Sequence, residues 1–235
     1  MSGIAVIDKP SGWTSFDVCA KIRGVMRAVT GEKKIKVGHG GTLDPLATGV
    51  LPVFIGREYT KLVSSCESAD KEYTAGVRFG IVTDTQDIDG TVLSRTEASV
   101  TRDALEAALA AFRGELLQTP PMYSAVKVNG QRLYAAARRG IEVPREPRRI
   151  TVYGAEIVSA DGAGCVLRFT VSKGTYIRTL CHDLGQSLGC GAALTALRRT
   201  RAGAFRIEDA VTPEEFQRRA ADNTLETLLL KDIPR

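Results

Sequence analysis

The sequence predicts an α+β fold in which helices flank a mixed, mainly antiparallel sheet. Three observations carry that expectation. Apolar runs of strand length and amphipathic runs of helix length are both present, and 43% of the 235 residues are hydrophobic, enough for a proper core. The two kinds of run do not alternate as regular βαβ units, which argues against a doubly wound parallel sheet. The second strand of the Ile150–Val158/Cys165–Val171 pair alternates, with Cys165, Leu167, Phe169 and Val171 on one face and Arg168 and Thr170 on the other.

In chain order, Gly3–Lys9 is a compact β run. Thr14-Ser-Phe-Asp17 fits a capping box, and Val18, Ile22, Val25, Met26 and Val29 follow at helical spacing. Gly38 to Gly56 reads as a Gly/Pro-punctuated loop that leads into the apolar Val50–Ile55. Tyr73–Phe79 reads as a strand and Asp84–Gly90 as a polar turn. Thr101 caps a helix with Leu105, Leu109 and Phe112 on one face. Tyr176–Leu188 is helical, and Thr212-Pro-Glu-Glu215 is a second capping box with Pro at the first helical position.

Composition bounds the function. No apolar run approaches the roughly 20 residues that span a bilayer, and the N-terminus lacks the basic region and cleavage site of a signal peptide. The expectation is a soluble, cytoplasmic protein. Five scattered cysteines without a CxxC pair read as reduced thiols, and with only His39 and His182 no zinc-ligand spacing is formed. No metal is expected, and monomer is the default oligomeric state.

Net charge is +5, but it is segregated. Lys127, Arg132, Arg138, Arg139, Arg145, Arg148 and Arg149 face only Glu142 and Glu146 in their stretch, whereas acidic residues outnumber basic ones ten to five between Glu67 and Glu115. A basic face suits a polyanion, because neutralised phosphates release counterions. Charge alone equally allows a solvated surface.

The most unusual stretch is Lys36-Val-Gly-His-Gly-Gly-Thr-Leu-Asp-Pro-Leu-Ala-Thr-Gly49. Gly38, Gly40 and Gly41 surround His39 and permit positive φ or close approach of a ligand. Pro45 biases Asp44 toward extended backbone, which presets its carboxylate. That suits a nucleophile or a ligand clamp, and equally a tight turn capped by Asp44. The glycine spacing fits neither a P-loop nor GxGxxG. A glycosidase would need a second carboxylate, which this motif lacks. A second cluster, Val171-Ser-Lys-Gly-Thr-Tyr-Ile-Arg178, reads as a strand end, a turn and a helix start. It places Tyr176 and Arg178 in a first helical turn, where Arg178 is either a carboxylate partner or a plain surface residue.

Seven ordered segments together resemble the bacterial tRNA pseudouridine-55 synthase family, known as TruB. They are Asp8-Lys-Pro-Ser-Gly-Trp-Thr-Ser15, Gly38 to Gly49, Lys71-Glu-Tyr73, Gly80-Ile-Val-Thr-Asp-Thr-Gln-Asp87, Pro120-Pro-Met-Tyr-Ser-Ala-Val-Lys127, Lys173-Gly-Thr-Tyr-Ile-Arg178 and Leu197-Arg-Arg199. The resemblance implies a pseudouridine synthase fold with a basic, RNA-gripping thumb insertion at about 120–150. It implies Asp44 as the nucleophile, Tyr73 as the aromatic that stacks on the base, and Arg178 as the ion-pair partner of Asp44. It places His39 in the RNA loop, lines the base pocket with Tyr176 and Leu197, and makes Lys9 and Pro10 a buttress. The thumb residues Arg138, Arg139, Arg148 and Arg149 are expected on the tRNA backbone, and Arg198, Arg199 and Arg201 add charge near the pocket.

The implied activity is isomerisation of uridine 55 in the T loop of tRNA. The base is flipped out at a cost of about a few kcal/mol, and stacking on an aromatic recovers roughly 1–3 kcal/mol. Alternatives are a synthase acting on another RNA, or a tRNA-folding chaperone without catalysis. Only 25 residues follow Ala210, fewer than the roughly 50 of a small domain. The expected organisation is therefore one catalytic domain over 1–235 without the PUA domain of longer relatives.

Overall fold

The computed structural model describes residues 1–124, 126–128, 130–137 and 139–233. In chain order its strands and helices are β1 (Gly3–Lys9), α1 (Ser15–Thr30), β2 (Val37–His39), β3 (Thr48–Ile55), α2 (Val63–Ser68), β4 (Lys71–Phe79), β5 (Ile81–Thr83), β6 (Val92–Arg95) and α3 (Arg102–Ala110). There follow β7 (Gly114–Gln118), β8 (Lys127–Val128), β9 (Gln131–Arg132), α4 (Leu133–Ala137), β10 (Arg148–Ala160), β11 (Gly164–Val171), α5 (Ile177–Ser187), β12 (Ala192–Ala202), β13 (Phe205–Arg206) and α6 (Pro213–Ala221). They form two compact units, one of Met1–Tyr73 with the chain from Leu197 onward, the other of Thr74–Ala196.

In the first unit β3 is the hub. It pairs antiparallel with β1 from Gly3↔Ile55 to Lys9↔Gly49, antiparallel with β2, and parallel with β12 through Arg198↔Thr48 and Arg199↔Gly49. β13 adds antiparallel to β12. The continuous apolar run of β1 is explained by burial on both faces. Ala5 and Ile7 join α1 residues Val18, Ile22 and Met26 and α6 residue Phe216 in one core. Ile4 and Val6 join Val50, Phe54 and Phe205 in the other. There Phe54 and Phe205 meet edge to face, with centroids 6.5 Å apart.

In the second unit β10 is central, antiparallel to β11 on one side and β7 on the other. Cys165, Leu167, Phe169 and Val171 are all buried on the inward face of β11, as their alternation predicts. α3 packs on β10 and α5, and buries Leu105 and Leu109. Taken over both units, the pairing is mixed and mainly antiparallel, with helices against it, as expected.

Several boundaries differ from the sequence reading. Gly38 and His39 lie in β2, so the Gly-rich loop opens only at Gly40. Phe112 falls beyond the end of α3 and is half-buried. Thr14 and Asp17 make the full reciprocal capping box of α1, and the Thr14 hydrogen bonds hold the Asp17 carboxyl below its ordinary pKa. Thr212 caps α6 through the Glu215 N–H, but the Glu215 carboxylate turns away to Arg218 and Arg219. Those two guanidiniums hold its pKa at about 2, so the second box is only half made.

Candidate active site

The loop that carries Asp44 is fastened from below by the segment after β1. Lys9 is fully buried, and its ammonium donates to the carbonyls of Pro10 (2.8 Å), Trp13 and Pro45 (3.2 Å). The Gly12 N–H donates to the Pro45 carbonyl at 2.9 Å, and the Ser11 hydroxyl reaches the Leu46 carbonyl. Ser15 accepts from the Leu43 N–H at 2.9 Å and donates to its carbonyl at 3.2 Å. These bonds give the Asp8-to-Ser15 motif its physical purpose: it is the mount of residues 43–46. Asp44 itself starts a β-turn, closed by the Ala47 N–H to the Asp44 carbonyl at 3.0 Å with Pro45 at the second position. The expected turn is thus made by the Asp44 backbone carbonyl.

Burial pushes the Lys9 pKa down to about 8, and nearby Arg199 adds to that, while Asp44 and Asp17 oppose it. His39 is half-buried in β2 with its Nδ1 buried and unpartnered. Burial first, and Arg199 second, lower its pKa and so favour the neutral imidazole.

The glycines of the loop have different reasons. Only Gly41 of the three around His39 takes positive φ (100°). Gly40 is required by space, since a Cβ there would lie 2.5 Å from the Cys66 sulfur. Gly49 needs both: its φ is 101°, and a Cβ would stand 2.2 Å from the Arg199 carbonyl oxygen of the parallel strand.

The Leu197-Arg-Arg199 segment corrects one expectation. Arg198 makes a two-armed pair with Asp8 (2.7 and 3.2 Å), and Arg199 is 1% exposed. The Arg199 Nε donates to the Val50 carbonyl at 2.7 Å and Nη2 to the Gly41 carbonyl at 3.0 Å. Arg199 thus ties the two flanks of the Asp44 loop together instead of offering charge to a ligand. Arg201 donates to the Gly203 carbonyl. Leu197 is buried, and its carbonyl accepts from the Thr48 hydroxyl at 3.4 Å. Tyr73 is buried on β4.

In the second unit Tyr176 is the N-cap of α5, and Arg178 lies in the first turn. Gln118, unnoticed in the sequence, holds the Tyr176 backbone from both sides: its amide accepts from the Tyr176 N–H at 2.8 Å and donates to its carbonyl at 3.1 Å. Arg178 is no surface residue. Its guanidinium is buried, donates to the carbonyls of Thr85 (2.7 Å) and Tyr123 (2.9 Å), and lies 3.7 Å from the Asp87 carboxylate. Asp87 is in turn oriented by the Thr85 hydroxyl at 2.6 Å and the Asp89 N–H at 3.2 Å.

Of the basic segment, Arg139 and Arg148 are exposed, and Arg149 is an exposed partner of Glu115 at 3.5 Å. Arg148 and Arg149 open β10 opposite Gln118 and Leu117, so they are strand residues. Arg145 is fastened to the Pro120 carbonyl and Glu142. Arg138 lies outside the described residues.

Comparison with known proteins agrees with this architecture. Residues 27–177 match the description TruB family pseudouridylate synthase (N terminal domain), and residues 178–233 match the tRNA pseudouridylate synthase B C-terminal domain. The chain is 50% identical to a tRNA pseudouridine synthase B of Chromobacterium violaceum, over 89% of this chain and 66% of that one. It is 47% identical to the protein of that name from Stutzerimonas stutzeri, over 97% and 72%. Among solved structures it is similar to a chain of a Cbf5-Nop10-Gar1 complex, with 33% identity, TM-score 0.69, and 92% of this chain against 54% of that one. A chain of an H/ACA RNP bound to a substrate RNA containing 2'-deoxyuridine gives 27% identity, TM-score 0.70, and 97% against 59%. The chain thus spans about two thirds to three quarters of these curated relatives and rather more than half of the solved chains. On the family match and the relatives' identity, the chain belongs to the TruB family of pseudouridylate synthases.

Proposed function

We propose that this chain is a tRNA pseudouridine synthase that isomerises uridine 55 in the T loop. The observation that carries the reading is the Asp44 turn, which Lys9, Ser15 and Arg199 hold from three directions. A fixed backbone on both sides of Asp44 limits where its carboxylate can reach, which suits a nucleophile. In the reaction the N1–C1′ bond breaks, the uracil turns, C5 bonds to C1′, and the C5 proton is lost as N1 regains one. There is no net redox change and no group donor, so no cofactor is called for. Asp44 attacks either C1′ or C6. Tyr73 stacks on the flipped base beside the C5 proton, and Arg178 pairs with the aspartate. Tyr176 and Leu197 line the pocket, His39 enters the RNA loop, and Lys9 with Pro10 buttresses the site.

The partner is the T stem-loop of tRNA, held by Arg138, Arg139, Arg148 and Arg149 on a thumb at about 120–150 of a single catalytic domain. The enzyme works as a monomer in the cytoplasm; among the described residues no helix is long and apolar enough to cross a membrane.

Tritium release from C5-labelled uridine in an unmodified tRNA transcript tests this. The wild-type chain should release tritium and Asp44→Asn should release none. Wild type that binds tRNA without releasing tritium would make the chain an RNA-binding or RNA-folding protein. Full activity of Asp44→Asn would remove the nucleophile.

A further inference from the structure

Gln86 stands out in the turn that serves Arg178. Among the described residues only Gln86 and Asn223 are non-glycine residues with positive φ, at 66° and 55°. Asparagine visits this region readily, whereas an unbranched residue such as glutamine does so only where its surroundings hold it there. Three bonds do so. The Gln86 N–H donates to the Thr83 carbonyl at 3.3 Å, its carbonyl accepts from the Leu194 N–H at 3.1 Å, and its side-chain Oε1 accepts from the Thr179 hydroxyl at 2.7 Å.

The neighbours give the strained residue its meaning. Thr85, just before it, offers its carbonyl to Arg178, and Asp87, just after it, offers its carboxylate to the same guanidinium. Thr179 is the residue after Arg178 on α5 and is itself buried. The turn and the helix are therefore joined twice, side by side, through Arg178 and through Thr179. In the left-handed conformation at residue 86 the chain reverses so that both flanking acceptors converge on one cation. An outlier of this kind, held by surrounding bonds, points to a task at the site.

We propose that Gln86 and Thr179 are a positioning pair for Arg178, fixing the orientation of its guanidinium. The inference rests on the reading of Arg178 given above. Neither residue touches substrate; both act through the arginine.

The test is steady-state kinetics of the full chain on tRNA transcript. Thr179→Val and Gln86→Ala should each lower kcat about tenfold and leave KM within about twofold, since small misplacements of a reacting group cost rate and not binding. Thr179→Ser restores the hydroxyl and should restore kcat. The double variant should be no slower than the slower single one, as expected for two halves of one hydrogen bond. Gln86→Asn suits the backbone conformation but has too short an amide to reach Thr179, so it should fold and still lose rate. Wild-type kcat in both Gln86→Asn and Thr179→Val would overturn the pair, as would a loss confined to KM or additive losses in the double variant. Arg178→Lys separates the two levels. If it is fully active, the reading of Arg178 fails; if it is inactive while Thr179→Val is not impaired, only the positioning pair fails.

Discussion

Replacing Lys9 with Met tests how the Asp44 loop is held, and the consequence can be worked out from the structure. The ammonium is fully buried and serves three carbonyls, and its pKa falls from 10.5 to about 8. That displacement corresponds to about 3 kcal/mol by which the surroundings favour the neutral amine over the ammonium. At pH 7 the group is charged in both folded and unfolded chains, so this cost is present in full. Between pH 8 and 10.5 the unfolded chain holds more protons than the folded one, and the free energy of unfolding therefore rises with pH across that window. Urea unfolding of wild type and Lys9→Met at about pH 7, 8, 9 and 10 isolates the effect, because the other titrating groups cancel in the difference. Wild type should gain up to about 3 kcal/mol on the variant between pH 7 and the top of the window. Activity should move the opposite way. A neutral amine has two N–H groups for three carbonyls, so one acceptor is left without its donor, and kcat should decline above about pH 8. Lys9→Met should have a low kcat throughout, without that limb. A pH-independent stability difference would refute the argument, for it would mean that Lys9 titrates alike folded and unfolded.

Three further outcomes follow from other parts of the fold. Gly49→Ala puts a Cβ 2.2 Å from the Arg199 carbonyl at a φ of 101° and should cost about 3 kcal/mol or more in urea unfolding; under about 1 kcal/mol would mean that the parallel strands can separate freely. Thr14→Ala breaks a complete capping box and should destabilise the chain by about 1–2 kcal/mol, read from the same unfolding curves; no change would mean that α1 is fixed by packing alone. Neutralising Arg139, Arg148 and Arg149 should weaken tRNA binding and reduce the slope of log K against log salt by about 0.7–0.9 for each phosphate that these arginines neutralise. An unchanged slope would return these residues to an ordinary solvated surface.

Local features were legible in the sequence because their causes are local. The Thr14–Asp17 box and the alternation of β11 need only neighbours a few residues apart, and both are present in the fold. The Thr212 box was half right, since its Glu215 had two arginines within one helical turn that compete for the carboxylate. Of the supports of the site, Lys9 was expected from the resemblance, whereas the long-range ones were not legible. Gln118 lies 58 residues from Tyr176 and outside every segment singled out in the sequence; Thr85 lies in the Gly80–Asp87 segment, but its partner Arg178 is 93 residues away, so the pairing could not be read. One signal did exist. Arg198 and Arg199 are adjacent on a strand, and adjacent strand residues point to opposite faces. Where one face is core, one of the two arginines must be buried, and it needs acceptors in place of a ligand.

Arg199 also bears on the order in which the molecule is completed. It closes the loop around Asp44 from 149 residues beyond Val50 and 158 beyond Gly41. At a synthesis rate of about 5–20 residues per second, roughly 8 to 30 s pass between making the loop and making the residue that clamps it. Through that interval the nascent chain lacks the Arg199 fastening to Val50 and Gly41. The turn that carries Asp44 is therefore among the last parts of its unit to be fastened.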